Sequence, residues 1–380
     1  MPNFSGIWNL KEQVQAIAAG RWTGLPTFEL YAWGSNGSGQ LGDNTTVNKS
    51  SPVQVTADAN WLQVAAGGAS SAAIKTDGTL WTWGIDNDGQ LGLGTNYVNR
   101  SSPVQVGSLT TWAQISASNG QMAAVTDDGK LYAWGGNGIG QLGISSTASK
   151  SSPTQVGALT NWQQVSVGSH TAAVKTDGTL WTWGFNIFGG LGDNTTINKS
   201  SPVQIGALTT WAQAQVGGTH TVATTTDGEI YAWGSNGAGQ LGDNTTADKS
   251  SPVQIGVLTN WAQAEASAHT AAVKTDGTIW AWGSNSNGRI GDNTVVNKSS
   301  PVQIGALTAW SQVSAKNGVH TVAVKTDGTL WSWGGNGSGE LGDISTVNRS
   351  SPIQVGALPS WSQASTGNGH TLAIFQGSSN

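Results

Sequence analysis

Five histidines stand at one recurring position of this chain: His170, His220, His269, His320 and His370. Two earlier copies of the pattern carry Ser70 and Gln121 there. Imidazole is the commonest protein ligand for a metal ion, so a ring of histidines invites a metal reading. Equivalent positions on neighbouring units of a ring lie too far apart for one ion, except at the axis. No carboxylate or second histidine sits at helical ligand spacing beside them. The histidines are therefore expected to be structural, bonding turns within their own unit, and no metal or other cofactor is expected.

Five aspartates, Asp43, Asp193, Asp243, Asp292 and Asp343, open Asp-Asn-Thr or Asp-Ile-Ser-Thr turns. Calcium wants six or more oxygens, commonly from several carboxylates. Each turn offers one, so Asx-turn capping is the expected role. Seven cations form a third ring, each just before a Ser-Ser-Pro tripeptide: Lys49, Arg100, Lys150, Lys199, Lys249, Lys298 and Arg349. They suit either a rim for polyanions or pairing with the aspartate six residues earlier, present in five of the seven copies, and pairing is the expectation. No serine is set apart as a nucleophile, because Ser-Ser-Pro recurs in every copy whereas catalytic constellations are asymmetric. The Gly-x-Gly stretches open no helix, which excludes a phosphate loop of the Walker type. No catalytic residue is assigned, and the chain is expected not to be an enzyme.

These rings exist because the sequence repeats. Trp-Gly recurs at Trp33, Trp83, Trp134, Trp183, Trp233, Trp282 and Trp333, at separations of 49 to 51 residues. The prolines of Ser-Ser-Pro keep the same period, from Pro52 to Pro352. Such a unit cannot bury its apolar face alone and must stack on its neighbours. Composition agrees: Gly 54 and Trp 20 in 380 residues read as tight turns between short strands. Charged residues make up 10% and the net charge is −5, against a nucleic-acid partner held through phosphates. There is no cysteine, hence no disulfide framework. No apolar run approaches the roughly 18 residues that cross a bilayer. The first residues lack the charged and apolar regions of a secretory signal.

Residues 161–206 give the clearest unit. Trp162–Val167 reads as a half-buried strand, and Gly168-Ser169 turns the chain. His170–Lys175 returns, Asp177-Gly178 makes a hairpin turn, and Leu180–Trp183 follows. After a glycine-rich loop, Pro202–Ile205 reads as a short fourth strand with proline at its start. Four strands per 50 residues is one blade of a propeller. Six units are complete. The seventh starts at Trp361 and stops after Phe375, and Leu30–Gly34 at the other end of the chain supplies its missing return strand. The predicted architecture is all-β: a seven-bladed propeller of four-stranded blades, residues 28–380, closed by a clasp between the termini and preceded by a short helical segment, residues 1–27.

The pattern Gly-x-x-His-Thr-x-Ala-x-x-x-Asp-Gly-x-Leu-x-x-Trp-Gly-x-Asn-x-x-Gly-Gln-Leu-Gly stands almost intact at residues 170–192, 220–242 and 320–342. It resembles the regulator of chromosome condensation repeat family, over residues 28–375. The resemblance implies a seven-bladed propeller used as a binding platform. Members of the family include a nucleotide-exchange factor and an inhibitor of β-lactamase. Neither activity transfers, because the basic tail and the partner-specific wedge or loops are not recognisable here.

In the N-terminal segment Asn9 can cap a helix with Glu12 as its partner. Leu10, Val14 and Ile17 then share a face. Gly6-Ile7-Trp8-Asn9-Leu10 through Gln13 and Ala16 resembles a stretch in tail and fibre proteins of bacterial viruses. Trp8, Leu10, Val14 and Ile17 are thus candidate attachment residues, or the segment is a lid on one mouth of the ring. Among the loops after Trp-Gly, the copies disagree: Ser35-Asn36-Gly37-Ser38 against Phe185-Asn186-Ile187-Phe188. Apolar side chains in a polar turn must be covered, by a partner or by a neighbouring loop. Phe185, Ile187 and Phe188, with Ile85, Asp88 and Ile139, are the candidate binding residues. The leading expectation is a non-enzymatic tail or fibre protein in a bacteriophage virion, contacting other virion proteins or a host receptor of protein or glycan. The alternative is a soluble protein-binding propeller, an inhibitor or an exchange-factor-like regulator. Neither involves nucleic acid or membrane insertion.

Overall fold

A computed structural model describes residues 27–94 and 97–377. Over these residues the chain forms strands β1–β28, arranged as seven four-stranded antiparallel sheets. The expected helical segment, with Trp8, Leu10, Val14 and Ile17, lies outside the described residues. Its last residue, Thr27, already opens the first strand.

Each sheet is a blade. In blade 4 the strands are β11 (Trp162–Val167), β12 (His170–Lys175), β13 (Leu180–Gly184) and β14 (Lys199–Gln204), side by side in chain order. The Asp-Gly turn forms as its residue types require. Gly178 takes φ 74°, and Asp177 Oδ1 accepts the Thr179 amide at 3.0 Å. The fourth strand differs from expectation. It begins at Lys199, three residues before Pro202. The ladder to β13 shifts register between Thr182 and Gly184, and β14 is the outermost strand. Proline costs no ladder bond at such an irregular edge, so it does not have to start the strand.

Blade 1 is the clasp, ordered β2-β1-β28-β27. Its outer strands, β1 (Thr27–Gly34) and β2 (Lys49–Gln54), come from the beginning of the described chain. Its inner strands, β27 (Trp361–Thr366) and β28 (His370–Gly377), come from the end. β1 pairs with β28 continuously from Thr27↔Gly377 to Gly34↔His370. The remaining blades, 2 to 7, follow along the chain in groups of four strands.

The core lies between blades rather than within them. One cluster joins Leu131, Leu142 and Val156 of blade 3 to Trp162, Val165 and Trp183 of blade 4. The Trp-Gly tryptophans are wholly buried, and Trp183 meets Trp162 edge-on at 6.1 Å. An apolar face that closes only on its neighbour explains why the units come as a ring. The antiparallel order puts the 3→4 loops, such as residues 185–198, at the same end as the turns from inner to second strand. That end is called the loop face below.

Candidate interaction surface

The histidines bond to the next blade, not within their own. His170 Nε2 lies 2.6 Å from Thr221 Oγ1, His220 3.0 Å from Thr270, His269 2.8 Å from Thr321, and His320 2.7 Å from Thr371. His370 meets Ser71 at 2.9 Å and so closes the clasp to blade 2. Each of these hydroxyls donates its proton to a loop carbonyl, as Thr221 does to Gly190 at 2.8 Å. The hydroxyl is left to accept, so Nε2 carries the ring proton and the imidazole is neutral. Burial pushes the histidines down, to about 3 at His170, His320 and His370 and about 4 at His220, with His269 also far below its usual value. Among the described residues no three His, Asp or Glu side chains converge on a metal position.

Where the histidine is missing, the chain adapts. Gln121 Nε2 donates to Gly168 O at 3.1 Å and, more weakly, to the equivalent hydroxyl of Thr171 at 3.5 Å. Ser70 Oγ is buried without a partner, and the next blade has Met122 at the position of Thr221, so the seam between blades 2 and 3 lacks this bond. Introducing Ser70→His with Met122→Thr is expected to add about 1 kcal/mol beyond the sum of the single changes. A thermal-unfolding double-mutant cycle with zero coupling would rule out the ladder as an additive seam.

The aspartate turns and basic ring behave as expected. Asp193 Oδ1 accepts the Thr195 amide at 3.0 Å, an Asx turn. The cations pair within their loops: Lys49–Asp43 at 3.4 Å, Lys199–Asp193 at 3.7 Å, Lys249–Asp243 at 3.6 Å, Lys298–Asp292 at 3.1 Å and Arg349–Asp343 at 2.9 Å.

A buried asparagine makes each of these loops rigid. In blade 4, Asn186 Oδ1 accepts the Leu191 amide at 2.9 Å, and its Nδ2 donates to Asp193, Thr195 and Ile197. Asn36, Asn236, Asn285 and Asn336 repeat this arrangement. The frame is common, so the side chains it displays can vary without moving the backbone. In blade 1 it displays Ser35 and Gln40, hydrogen-bonded at 3.3 Å, and Gln40 also accepts the Ser38 amide. In blade 4 all three polar residues are exchanged together, for Phe185, Gly190 and Phe188. The two phenyl rings lie 6.1 Å apart. Ile187 is 59% exposed, Phe188 41% and Ile197 65%. Among the described residues Ile187 and Phe188 are exposed, as the contact-surface reading requires.

The other candidates sit on the two preceding blades. Ile85 and Ile139 are half-buried, and Asp88 is exposed. Asp88 leans toward blade 3, where a Cβ on Gly120 would lie 3.2 Å from its carboxylate. The six residues therefore share one face over three consecutive blades, but only Phe185, Ile187 and Phe188 form one cluster. Ile197 was missed from sequence because exposed valines hold the same position in four other blades, at Val47, Val98, Val296 and Val347.

The axial channel is crossed at the same face. The turn between β23 (Trp310–Ser314) and β24 (His320–Lys325) is longer than its equivalents. Lys316 Nζ reaches Ser116 at 2.5 Å and Ser166 at 3.2 Å across the ring. Asn317 Nδ2 donates to Ala66 O and Ala117 O at 3.2 and 3.0 Å. A partner on the loop face thus meets a bridged surface and not an open pore. Among the described residues no helix is long and apolar enough to cross a membrane.

A sequence model described as the RCC1-like domain matches residues 4–268, and the regulator of chromosome condensation (RCC1) repeat matches residues 276–324 and 327–374. The mouse regulator of chromosome condensation is 34% identical over 140 residues, 35% of this chain and 33% of that protein. A Caenorhabditis elegans homolog of the X-linked retinitis pigmentosa GTPase regulator is 44% identical over 89 residues, 23% of this chain and 6% of its own length. The matched parts thus span a third or less of these relatives. The crystal structure of Prp20p from Saccharomyces cerevisiae superposes with a TM-score of 0.83 at 18% identity, covering 99% of this chain and 96% of that one. With repeat, blades and inter-blade bonds all in place, the chain belongs to the RCC1-like domain family.

Proposed function

We propose that this chain is a non-enzymatic, protein-binding propeller of the regulator type, and that its partner seats on the loop face around Phe185, Ile187 and Phe188. One observation carries the reading: Phe185, Ile187 and Phe188 stand together on one framed loop, whereas the other copies carry at most one large apolar side chain at these three positions. Two aromatic rings and two isoleucines on a fixed frame cost little entropy to immobilise and supply the anchor that protein interfaces concentrate their energy in. The family supports a protein partner. Prp20p has binding properties toward Gsp1p and histones, and the C. elegans relative is named as a GTPase regulator homolog. These matches favour the regulator alternative and lend no support to the virion reading.

Restoring the common loop tests the site. Phe185→Ser, Ile187→Gly, Phe188→Ser and Gly190→Gln together are expected to leave the thermal midpoint nearly unchanged. Loss of the anchor should weaken the partner about 30-fold, at the roughly 2 kcal/mol of an interface hot spot. Quantitative affinity capture from the source organism, native against restored loop, reads this directly. An identical captured set for both proteins would refute the site.

A further inference from the structure

Two members of the basic ring, Arg100 and Lys150, form no ion pair among the described residues, and only the loop of Lys150 carries no carboxylate of its own. Five of its seven cations meet the aspartate of their own loop. Blade 2 departs twice: Leu93 replaces that aspartate, but Asp86 replaces the buried asparagine, so a carboxylate remains in the loop of Arg100. The carboxylate has moved within the loop rather than being lost. Blade 3 departs once. Ile144 replaces the aspartate while Asn137 is kept, and Asn137 turns its amide to Ser146 O and Ala148 O. Among the described residues Lys150 forms no ion pair.

Lys150 is also placed where a ligand fits. It borders a groove of about 560 Å³ between β10 (Lys150–Gln155), the outer strand of blade 3, and blade 4. Ile144, Leu159 and Trp181 form its apolar side, over the buried Val156 and Trp162, and Ser145, Ser146, Thr154 and Gln155 its polar side. Leu159 is 46% exposed. An ammonium beside an apolar wall recognises a carboxylate next to an apolar side chain, and a short pair at the edge of such a wall is less screened than one in open water. We propose that this groove docks an extended segment of a partner protein, whose Asp or Glu takes the counter-ion role on Lys150 while an adjacent apolar side chain packs on Leu159 and Trp181. The chain's own net charge of −5 disfavours long-range attraction of an acidic segment. Recognition therefore rests on the local pair and the wall. This surface is separate from the Phe185–Phe188 site, and either can fail alone.

The probes are two fluorescein-labelled peptides, one alternating aspartate and leucine, the other asparagine and leucine. They are titrated by anisotropy against the whole chain at low salt. The aspartate peptide is expected to bind at least about tenfold more tightly, with the difference removed by Lys150→Gln. Lys199→Gln, at the same position of the ring but with Asp193 as its native partner, should leave the affinity unchanged. Ile144→Asp restores the internal carboxylate found in five other blades. It should abolish the preference while the thermal midpoint holds or rises. Equal affinity for both peptides overturns the proposal, as does no saturable binding up to millimolar peptide. Survival of the preference in folded Ile144→Asp, or equal loss in Lys199→Gln, overturns it too. The restored blade 4 loop should not change the aspartate peptide's affinity, so failure of that site and failure of this groove are told apart.

Discussion

Deleting residues 361–380 is expected to turn a cooperative ring into a chain that aggregates and melts without a sharp transition. The deletion removes β27 and β28, the inner half of blade 1. Trp361, Leu372 and Ile374 go with them, all buried, each contributing about 1.5–3 kcal/mol of transfer free energy. The loss does not stop at one blade. One core cluster joins Leu372 and Ile374 to Trp61, Val64 and Trp83 of blade 2, and another joins Trp361 to Val322, Val324 and Leu330 of blade 7. Both seams open together, and His370 no longer reaches Ser71. The three side chains alone, about 4.5–9 kcal/mol, match most of the roughly 5–15 kcal/mol that separates most folded domains from their unfolded chains, before the two opened seams are counted. The ladder edge of β1 is also bared along Thr27–Gly34, a template for pairing with other chains. Size-exclusion chromatography and thermal melts check this. A circular permutant is the control: a short linker from Gly377 to Thr27, which are paired neighbours, with new termini in the connection at residues 206–210. It should stay monomeric and fold. A monomeric, cooperatively melting deletion protein would show that blade 1 is dispensable, contrary to closure by the clasp.

Legibility in the sequence followed how local each feature is. The blade count was readable because every unit solves the same packing problem with the same tryptophans, and the clasp because the units at the two ends are complementary fragments. The Asp193–Lys199 pair was readable because both partners lie in one loop. The histidine bonds were misassigned to the same unit because their partners lie about 50 residues away, across a seam that no local pattern marks. The same holds for Gln164, whose side chain brackets the Ala214 backbone of the next blade at 2.9 and 3.1 Å. Trp-x-Gln repeats in all seven units, so the signal was present, but only a ring geometry gives it a meaning. The bridge from Lys316 and Asn317 depends on residues 150 to 251 positions away. Its one sequence mark is the longer turn Ala315–Val319. At the candidate surface, Phe185, Ile187 and Phe188 were visible as departures from the repeat. Whether they were covered depended on which loops the ring brings beside them.

Acid should unfold this protein at a pH well above the carboxylate range. The buried histidines have folded values near 3 to 4, against about 6.5 in an unfolded chain. Between those limits the unfolded state binds protons that the folded state refuses, so stability falls as pH falls. Each histidine contributes a slope of about 1.4 kcal/mol per pH unit there. Glu265 acts in the opposite direction. Burial raises its carboxyl to about 7, against the pull of Lys316, so the folded state holds a proton that the unfolded chain lacks above about pH 4.5. Five histidines less one carboxyl leave at most about four protons, a slope of at most about 5 kcal/mol per unit near pH 5, and Glu340 and Asp86, whose carboxyls burial also raises, lower it further. The lowered aspartates, Asp43, Asp243, Asp292 and Asp343, add their loss only below about pH 4. Denaturant melts from pH 7 to 4.5 measure the slope. Replacing His170 by glutamine, the residue the chain itself uses at Gln121, should lower the slope by about 1.4 kcal/mol per unit and leave more of the stability intact at pH 5. A second replacement, His320→Gln, should lower it by the same amount again, since the two seams are separate. A slope that His170→Gln and His320→Gln leave unchanged would mean that these imidazoles already take up protons in the folded ring, and the neutral His–Thr seam would have to be given up.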